Sequence, residues 1–553
     1  MNSYLEMEND NVDLIKKLET IGLPLLVLIL LILSVIIRIL PYLTNNYFFE
    51  VGFDTGFYQA FLRRFAESNN WDRIPFFPYV WDYESFYIEP GFFGIFALIL
   101  KISNYYNLRD FFRFVLPILF GILIPLAVFA LTRHVSSNRF VGVLSSSLIA
   151  LSYVQYNAIN ESYYRQIVAS FILIVAILGF EITLKNNSNR GIIYVSLLGG
   201  SLYVFHRPIF ALFILSILVY IIINTMRRRT IIVKKSILIL ISSLILSAIF
   251  WFPVYEQQID LITDVINNSK SDLIAVMSDQ VTHGGGAKPL LMRDGHILLT
   301  YASFSPVLVA FSLIGMLFVF RHRSPGSFLV CITLVTIVYM MLCLVFSNRY
   351  VFNLDIFICC FCGIGVFYLA RWLFVIKRNK RIYSIILVAF ILALLVIPFF
   401  NTAIKYQSNV KPYITKNLEG VYWIEEFIDR NGSVLFAPDY LSADLIQLGY
   451  TVAMYDYYLA KKDAPPIFVT EEFIVNAPSN LTYVEEFFKT YPDYRFKEIY
   501  VLWGSWELEA PLVYTKKKIP LSDYLESKWF VEEYSGVYEI RSIYKLNITN
   551  INW

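Results

Sequence analysis

The run EPGFFGIFALILKI, residues 89–102, decides the architecture. It is apolar enough to enter lipid, yet it has only about 14 residues, against the roughly 20 a helix needs to cross about 30 Å of hydrocarbon. Counted as a span, it inverts every later loop and puts basic residues on the wrong side. Read as a short interfacial helix within a loop, it leaves the charge rule intact.

That rule is carried by the short loops. One alternate set reads TRHVSSNR (132–139), KNNSNR (185–190), MRRRTIIVKK (226–235), RHRSP (321–325) and IKRNKRI (376–382). Together these hold fifteen Lys/Arg and no Asp or Glu, which assigns them, and with them the N-terminus, to the cytoplasm. The opposite short loops, NAINESYYR (157–165), FHRP (205–208) and SNRY (347–350), hold one arginine each: Arg165, Arg207 and Arg349.

Composition agrees with a polytopic α-helical membrane protein. Of 553 residues, 57% are hydrophobic and 16% charged, where soluble chains average about 25% charged. About eleven spans are expected, starting near residues 21, 112, 140, 164, 191, 208, 235, 298, 326, 350 and 383. The first has no small-residue cleavage site after it and reads as a retained anchor. The five cysteines all fall in apolar runs, without zinc-ligand spacing, and read as packing residues.

The expected organisation is a cytoplasmic segment at 1–20 and a transmembrane domain at 21–404 with a long outer loop at 44–111. A tail, 405–553, follows as an extracytoplasmic α/β domain. In the tail, GVYWIEEFIDRNGSVLFAPDY reads as helix, Asn-Gly turn and strand, and TVAMYDYY, EIYVLW and GVYEIRSIY read as further strands. The sequons at Asn267, Asn480 and Asn547 fall on the outer side. HGGGAKP (283–289) lacks the Gly-Lys-Ser/Thr ending of a phosphate loop and reads as a mobile loop.

Ionisable residues collect at the outer mouth. In VGFDTGFYQAFLRRF (51–65), Asp54 stands among aromatics, Tyr58 included, with Arg63 and Arg64 behind it. The same loop holds Asp82, Glu84 and Glu89 in WDYESFYIEPGFF. Carboxylates interleaved with aromatic rings suit sugar binding: acids bind hydroxyls, and rings stack on C–H faces. In NESYYR, Glu161 and Arg165 are four apart and share a helix face, as a capping ion pair or as a second acid facing the first loop. His206 and Arg207 precede Pro208, a residue suited to a first helical turn. Arg349 likewise begins a span, and Asp355 beyond it is a candidate partner. One such arginine could anchor to headgroups; three at one mouth, against the positive-inside trend, point to phosphate.

Together these segments resemble the GT-C superfamily of membrane glycosyltransferases, which includes protein mannosyltransferases and oligosaccharyltransferase catalytic subunits. GFDTGFYQAFLRRF resembles the first-loop motif, and WDRIPFFP and FYIEPGFF the segments after it. NESYYR stands where the second acidic motif is expected, and FHRPIF and NRYVFNLDIF resemble later motif positions. WIEEFIDRNGSVLFAPDY resembles the opening of the C-terminal domain. The acceptor-reading W-W-D-Y-G of oligosaccharyltransferases is reduced here to Asp439-Tyr440 within FAPDYL.

The resemblance implies transfer of a sugar from a dolichyl- or polyprenyl-phosphate donor to a protein or glycan acceptor at the outer face of the cell membrane. Asp54 would be the general base, with Glu161 beside it. Arg165, His206, Arg207 and Arg349 would hold the donor phosphate, and Tyr58, Asp82, Glu84 and Glu89 the sugar or acceptor. A divalent cation, Mg²⁺ or Mn²⁺, on Asp54 and Glu161 is compatible but not required. No nucleic-acid partner is expected. The rivals are en bloc oligosaccharyl transfer, a non-catalytic polytopic protein, and a transporter. A transporter would be expected to show repeated halves and midplane charges, and neither is visible.

Overall fold

The computed structural model describes residues 23–44, 55, 58–59, 62, 90–103, 107–160, 163–251, 298, 301–302, 306–321, 326–341, 350–376, 419–437, 445, 448–453, 467–504, 512, 515, 517–536 and 540–547. The chain divides into two compact units. One comprises Met1–Pro41, Phe114–Ile159 and Tyr163–Gln407; the other comprises Tyr42–Arg113, Asn160–Ser162 and Ser408–Trp553. The first loop therefore groups with the tail.

The first unit is helical. Its helices are α1 (Leu23–Thr44), α3 (Leu116–Ser136), α4 (Arg139–Ala150), α5 (Tyr153–Asn160), α6 (Tyr164–Lys185), α7 (Asn189–Phe205), α8 (Arg207–Met226), α9 (Thr230–Trp251), α10 (Pro306–Arg321), α11 (Ser327–Met341) and α12 (Tyr350–Ile376). Helix α2 (Pro90–Ser103) belongs to the second unit. Among the described residues, five helices are long and apolar enough to cross a membrane, and further apolar helices are shorter. The span expected near 383 lies outside the described residues.

Helix α12 is central, with 89% of its most apolar window buried, against 28% in α9. Its approach to α10 depends on two glycines. A Cβ at Gly315 would strike the Phe361 carbonyl, and one at Gly365 the Phe311 carbonyl. Small residues let helix backbones close in lipid, where apolar surface gives no advantage to helix contact over lipid contact.

The span expected from residue 140 is broken. Helix α4 stops at Ala150 and α5 restarts at Tyr153. The break is stabilised from other helices: Arg38 Nη1 of α1 donates to the Ala150 carbonyl at 3.1 Å and to Ser34 Oγ at 2.6 Å. A buried guanidinium at a helix C-terminus satisfies orphan carbonyls and opposes the negative end of the dipole. Four cysteines, Cys331, Cys359, Cys360 and Cys362, are buried and free, in packing positions. Cys343 lies outside the described residues.

The second unit contains the expected 14-residue helix, α2. It buries Phe92, Phe93, Phe96, Ala97 and Leu100. The tail runs α13 (Glu419–Phe427), β1 (Ser433–Phe436), α14 (Ile467–Asn476), α15 (Leu481–Thr490), β2 (Glu498–Trp503), α16 (Leu521–Glu526), β3 (Phe530–Ser535) and β4 (Ser542–Leu546). The turn before β1 forms because the Asp429 carboxylate accepts from the backbone N–H groups of Asn431 and Gly432 at 3.1 and 3.0 Å.

The sheet order is β1-β2-β4-β3. β1 and β2 are parallel, and β4 is antiparallel to both β2 and β3. Both faces of its centre are covered. Leu435, Tyr500, Leu502 and Ile543 pack with Val421 and Ile424 of α13. The alternate set, Val434, Phe436, Ile499, Val501 and Trp503, packs with Phe473 of α14 and Val484 and Phe487 of α15. The period-2 alternation of strands thus feeds two cores. TVAMYDYY forms an isolated bridge at Val452 to Leu435 rather than a full strand among its described residues.

Candidate functional site

Three helix starts meet at one end of the first unit. Between α7 and α8, His206 is extended, with φ −165°. Its N–H donates to the Leu202 carbonyl at 2.8 Å, and its own carbonyl accepts from Ile209 and Phe210 at 3.1 Å each. His206 therefore closes one helix and opens the next, and Pro208 fits the first turn of α8, where a missing N–H is not needed. His206 is buried, and the Arg207 guanidinium carbon lies 5.6 Å from the centre of the Tyr203 ring. Arg165, half-buried, is in the first turn of α6.

Helix α12 ties these starts together. Tyr350 Oη, at its first residue, donates to the Pro208 carbonyl at 2.8 Å. Asn353 Oδ1 accepts from Gln166 Nε2 at 3.0 Å, and Asn353 Nδ2 donates to Ser170 Oγ at 2.8 Å. Gln166 follows Arg165 in sequence and Pro208 follows Arg207, so each bond falls one residue from a candidate cation.

Asp355, a sequence candidate to partner Arg349, which lies outside the described residues, bonds to residues distant in sequence. Two residues from Asn353, it is turned by about 200° around the helix and meets a different neighbour. Its Oδ2 accepts from Ser152 Oγ at 2.6 Å and Gln155 Nε2 at 2.9 Å. Its Oδ1 accepts from Tyr301 Oη at 2.8 Å. The carboxylate is fully buried and holds the start of α5, just past the break in the span. Gln155, Gln166, Asn353 and Tyr301 were not foreseen. Their sequence trace is polar spacing inside apolar helices: Ser152 and Gln155 three apart, Gln166 and Ser170 four apart.

In the second unit Tyr58 is 2% exposed, its ring stacked on Phe93 at 5.2 Å and edge-on to Phe92 at 5.2 Å. It is a core ring in this conformation, and a sugar would reach it only after those phenylalanines moved. Asp54, Asp82, Glu84, Glu89, Glu161 and Arg349 lie outside the described residues. Among the described residues no group of three or more His, Cys, Asp and Glu could hold a metal ion. At the position of the acceptor-reading motif, Phe436 ends β1 and Ala437 follows it, both buried.

No family model and no curated protein sequence matches the chain. Solved structures do. The oligosaccharyltransferase of Archaeoglobus fulgidus in the apo form aligns over 94% of this chain and 74% of its own, with TM-score 0.55 and 14% identity. The archaeal oligosaccharyltransferase AglB from Archaeoglobus fulgidus, in complex with an inhibitory peptide and a dolichol-phosphate, aligns over 97% and 75%, with TM-score 0.58 and 15% identity. The same organism's enzyme tethered to an acceptor peptide containing the NVT sequon gives 95%, 74%, 0.57 and 14%. The chain shares the fold of these archaeal oligosaccharyltransferases, as the GT-C resemblance implies. The GT-C likeness runs through the helical unit and the tail alike, since nearly the whole chain aligns.

Proposed function

We propose that the protein is a membrane glycosyltransferase that moves a sugar from a polyprenyl- or dolichyl-phosphate donor to a protein or glycan acceptor on the extracytoplasmic face. The observation that carries this reading is the joining of the Arg165 and Arg207 helix starts through Tyr350 and Asn353, within a GT-C fold. A structural neighbour with that fold is in complex with a dolichol-phosphate.

The chemistry follows from the residues. The acceptor's nucleophile attacks the anomeric carbon, and the bond from that carbon to the phosphate oxygen breaks. The electron pair leaves on the lipid phosphate, whose growing charge Arg165, Arg207 and Arg349 stabilise. Asp54 takes the acceptor's proton, with Glu161 as the second acid of the site. A divalent cation, if used, would find in these two carboxylates the hard oxygen ligands it prefers. In the proposed topology the N-terminus is cytoplasmic and the tail extracytoplasmic, a reading supported by the fifteen-to-zero basic count of the alternate loops.

A second reading, en bloc glycan transfer to asparagine, is favoured by the neighbours in complex with an inhibitory peptide and tethered to a sequon peptide. The reduced motif around Asp439-Tyr440 favours the simpler transfer. The test is transfer in proteoliposomes from two radiolabelled donors, a monosaccharide on polyprenyl phosphate and a lipid-linked oligosaccharide, each with a sequon peptide and a glycan acceptor. Product from the first donor supports the main reading, product from the second alone supports the other, and no product from either sinks both.

A further inference from the structure

The two polar side chains on the first turn of α12, Tyr350 and Asn353, face other helices and carry no charge to offer a donor. Tyr350 is 2% exposed and Asn353 fully buried. Tyr350 is held in turn by Tyr339, whose ring centre lies 4.5 Å away. Its hydroxyl reaches the backbone of α8 one residue past Arg207, at Pro208. Asn353 reaches α6 at the side chain one residue past Arg165, and Ser170 Oγ closes the circuit by donating to the Gln166 carbonyl at 2.7 Å. Two neighbouring helix starts are thereby fixed to the same third helix, three residues apart along it. In lipid such bonds decide rotation and depth, because apolar side chains slide against one another at little cost. A phosphate held by two forks needs both at set positions, since charge-assisted hydrogen bonds weaken steeply with misalignment.

We propose that Tyr350 and Asn353 are positioning residues for the donor's lipid phosphate: they fix the helix starts that carry Arg207 and Arg165. The inference rests on the reading that these arginines bind the phosphate. It adds a rigid frame, built from uncharged residues, that sets the spacing between them.

The experiment uses the full-length protein in nanodiscs and measures binding of undecaprenyl phosphate, with undecaprenol lacking the phosphate as control. Tyr350→Phe keeps the ring against Tyr339 and removes one hydroxyl. Losing the hydroxyl's bonds to the Pro208 carbonyl and to Tyr339 should weaken phosphate-lipid binding roughly 2- to 10-fold, with undecaprenol binding and thermal midpoint unchanged. Asn353→Leu should weaken it further. In an Arg207→Ala background, Tyr350→Phe should have no additional effect, because it acts through that arginine. The same loss in both backgrounds, or an equal loss for undecaprenol, would show a general packing role and overturn the inference. Binding lost in Arg207→Ala and Arg165→Ala but kept in Tyr350→Phe and Asn353→Leu would overturn the inference alone. Binding unchanged in both arginine variants would overturn the phosphate reading, and the inference with it.

Discussion

The tail and the helical unit solve the same problem in opposite ways. The tail's core is aromatic: Phe436 packs on Phe473 at 4.5 Å, and Trp503 stacks on Tyr544 at 5.2 Å. At the centre of the helical unit, α12 instead buries Asn353 and Asp355 and bonds them to α5, α6 and Tyr301. The difference follows from the solvent. In water, burying rings is itself favourable. In lipid, apolar contact is nearly neutral, and hydrogen bonds with close small-residue packing specify which helix meets which. The tail is therefore stabilised by what it removes from solvent, and the helical unit is aligned by what it pairs inside.

The largest stability effect should come from breaking the aromatic core. Phe436→Ala should cost about 3–5 kcal/mol, the range for a buried Phe truncation, read as lost protection of β1 and β2 in hydrogen exchange. An effect below about 1 kcal/mol would mean the tail core collapses around the gap.

Next in size is Asp355→Leu. It removes three hydrogen bonds, which in membrane proteins average about 0.6 kcal/mol each, so a loss of roughly 2 kcal/mol is expected. Asp355→Asn keeps the size and part of the bonding and should recover most of it. Unfolding in mixed detergent measures both; equal losses for Leu and Asn would show that the negative charge matters and not the bonding.

The smallest effect is at the tail surface, where Lys545 Nζ lies 2.6 Å from Glu498 Oε1. The hydrogen bond from Lys545, joined by one from Tyr500, holds the Glu498 carboxyl below its ordinary value of 4.5. A depressed acid stabilises above its unfolded value and stops doing so as pH falls through its folded one. Stability should thus decline on acidification below about pH 4.5, and Lys545→Ala should flatten that decline at a cost under about 1 kcal/mol at neutral pH. An undiminished acid slope in Lys545→Ala would assign it to other carboxylates.

The two regions were also unequally legible in sequence. Apolar runs locate helices because lipid demands length, and the 14-residue α2 was readable as too short to be a span. The break at Leu151-Ser152 was not, since neither Pro nor Gly marks it; Arg38, far off in sequence, holds its edge. In the tail the helix, Asn-Gly turn and strand from Glu419 to Phe436 were plain, while α14 and α15 passed unread among aromatic-rich stretches that suit either state.

At the site, single arginines stood out against the charge rule, but their frame did not. A polar residue inside a span could face water, a ligand or another helix, and only the packing decides. Asp355 shows why. In sequence it offers itself only to nearby charges such as Arg349, whereas Ser152, Gln155 and Tyr301, which bond to it, come from about 50 to 200 residues away.

The central claim, that this GT-C fold carries out base-assisted transfer from a lipid phosphate, is tested most directly at Asp54. Asp54→Asn keeps size and much of the hydrogen bonding but cannot accept the acceptor's proton. Sugar transfer from radiolabelled polyprenyl phosphate in proteoliposomes should fall roughly 10²–10⁴-fold, with donor binding and thermal midpoint nearly unchanged. Glu161→Gln measured beside it, with and without Mn²⁺ or a chelator, shows whether the two acids act through a metal. Transfer by Asp54→Asn at the wild-type rate would contradict the account: Asp54 would not be the base, and the assignment of the site would fall with it.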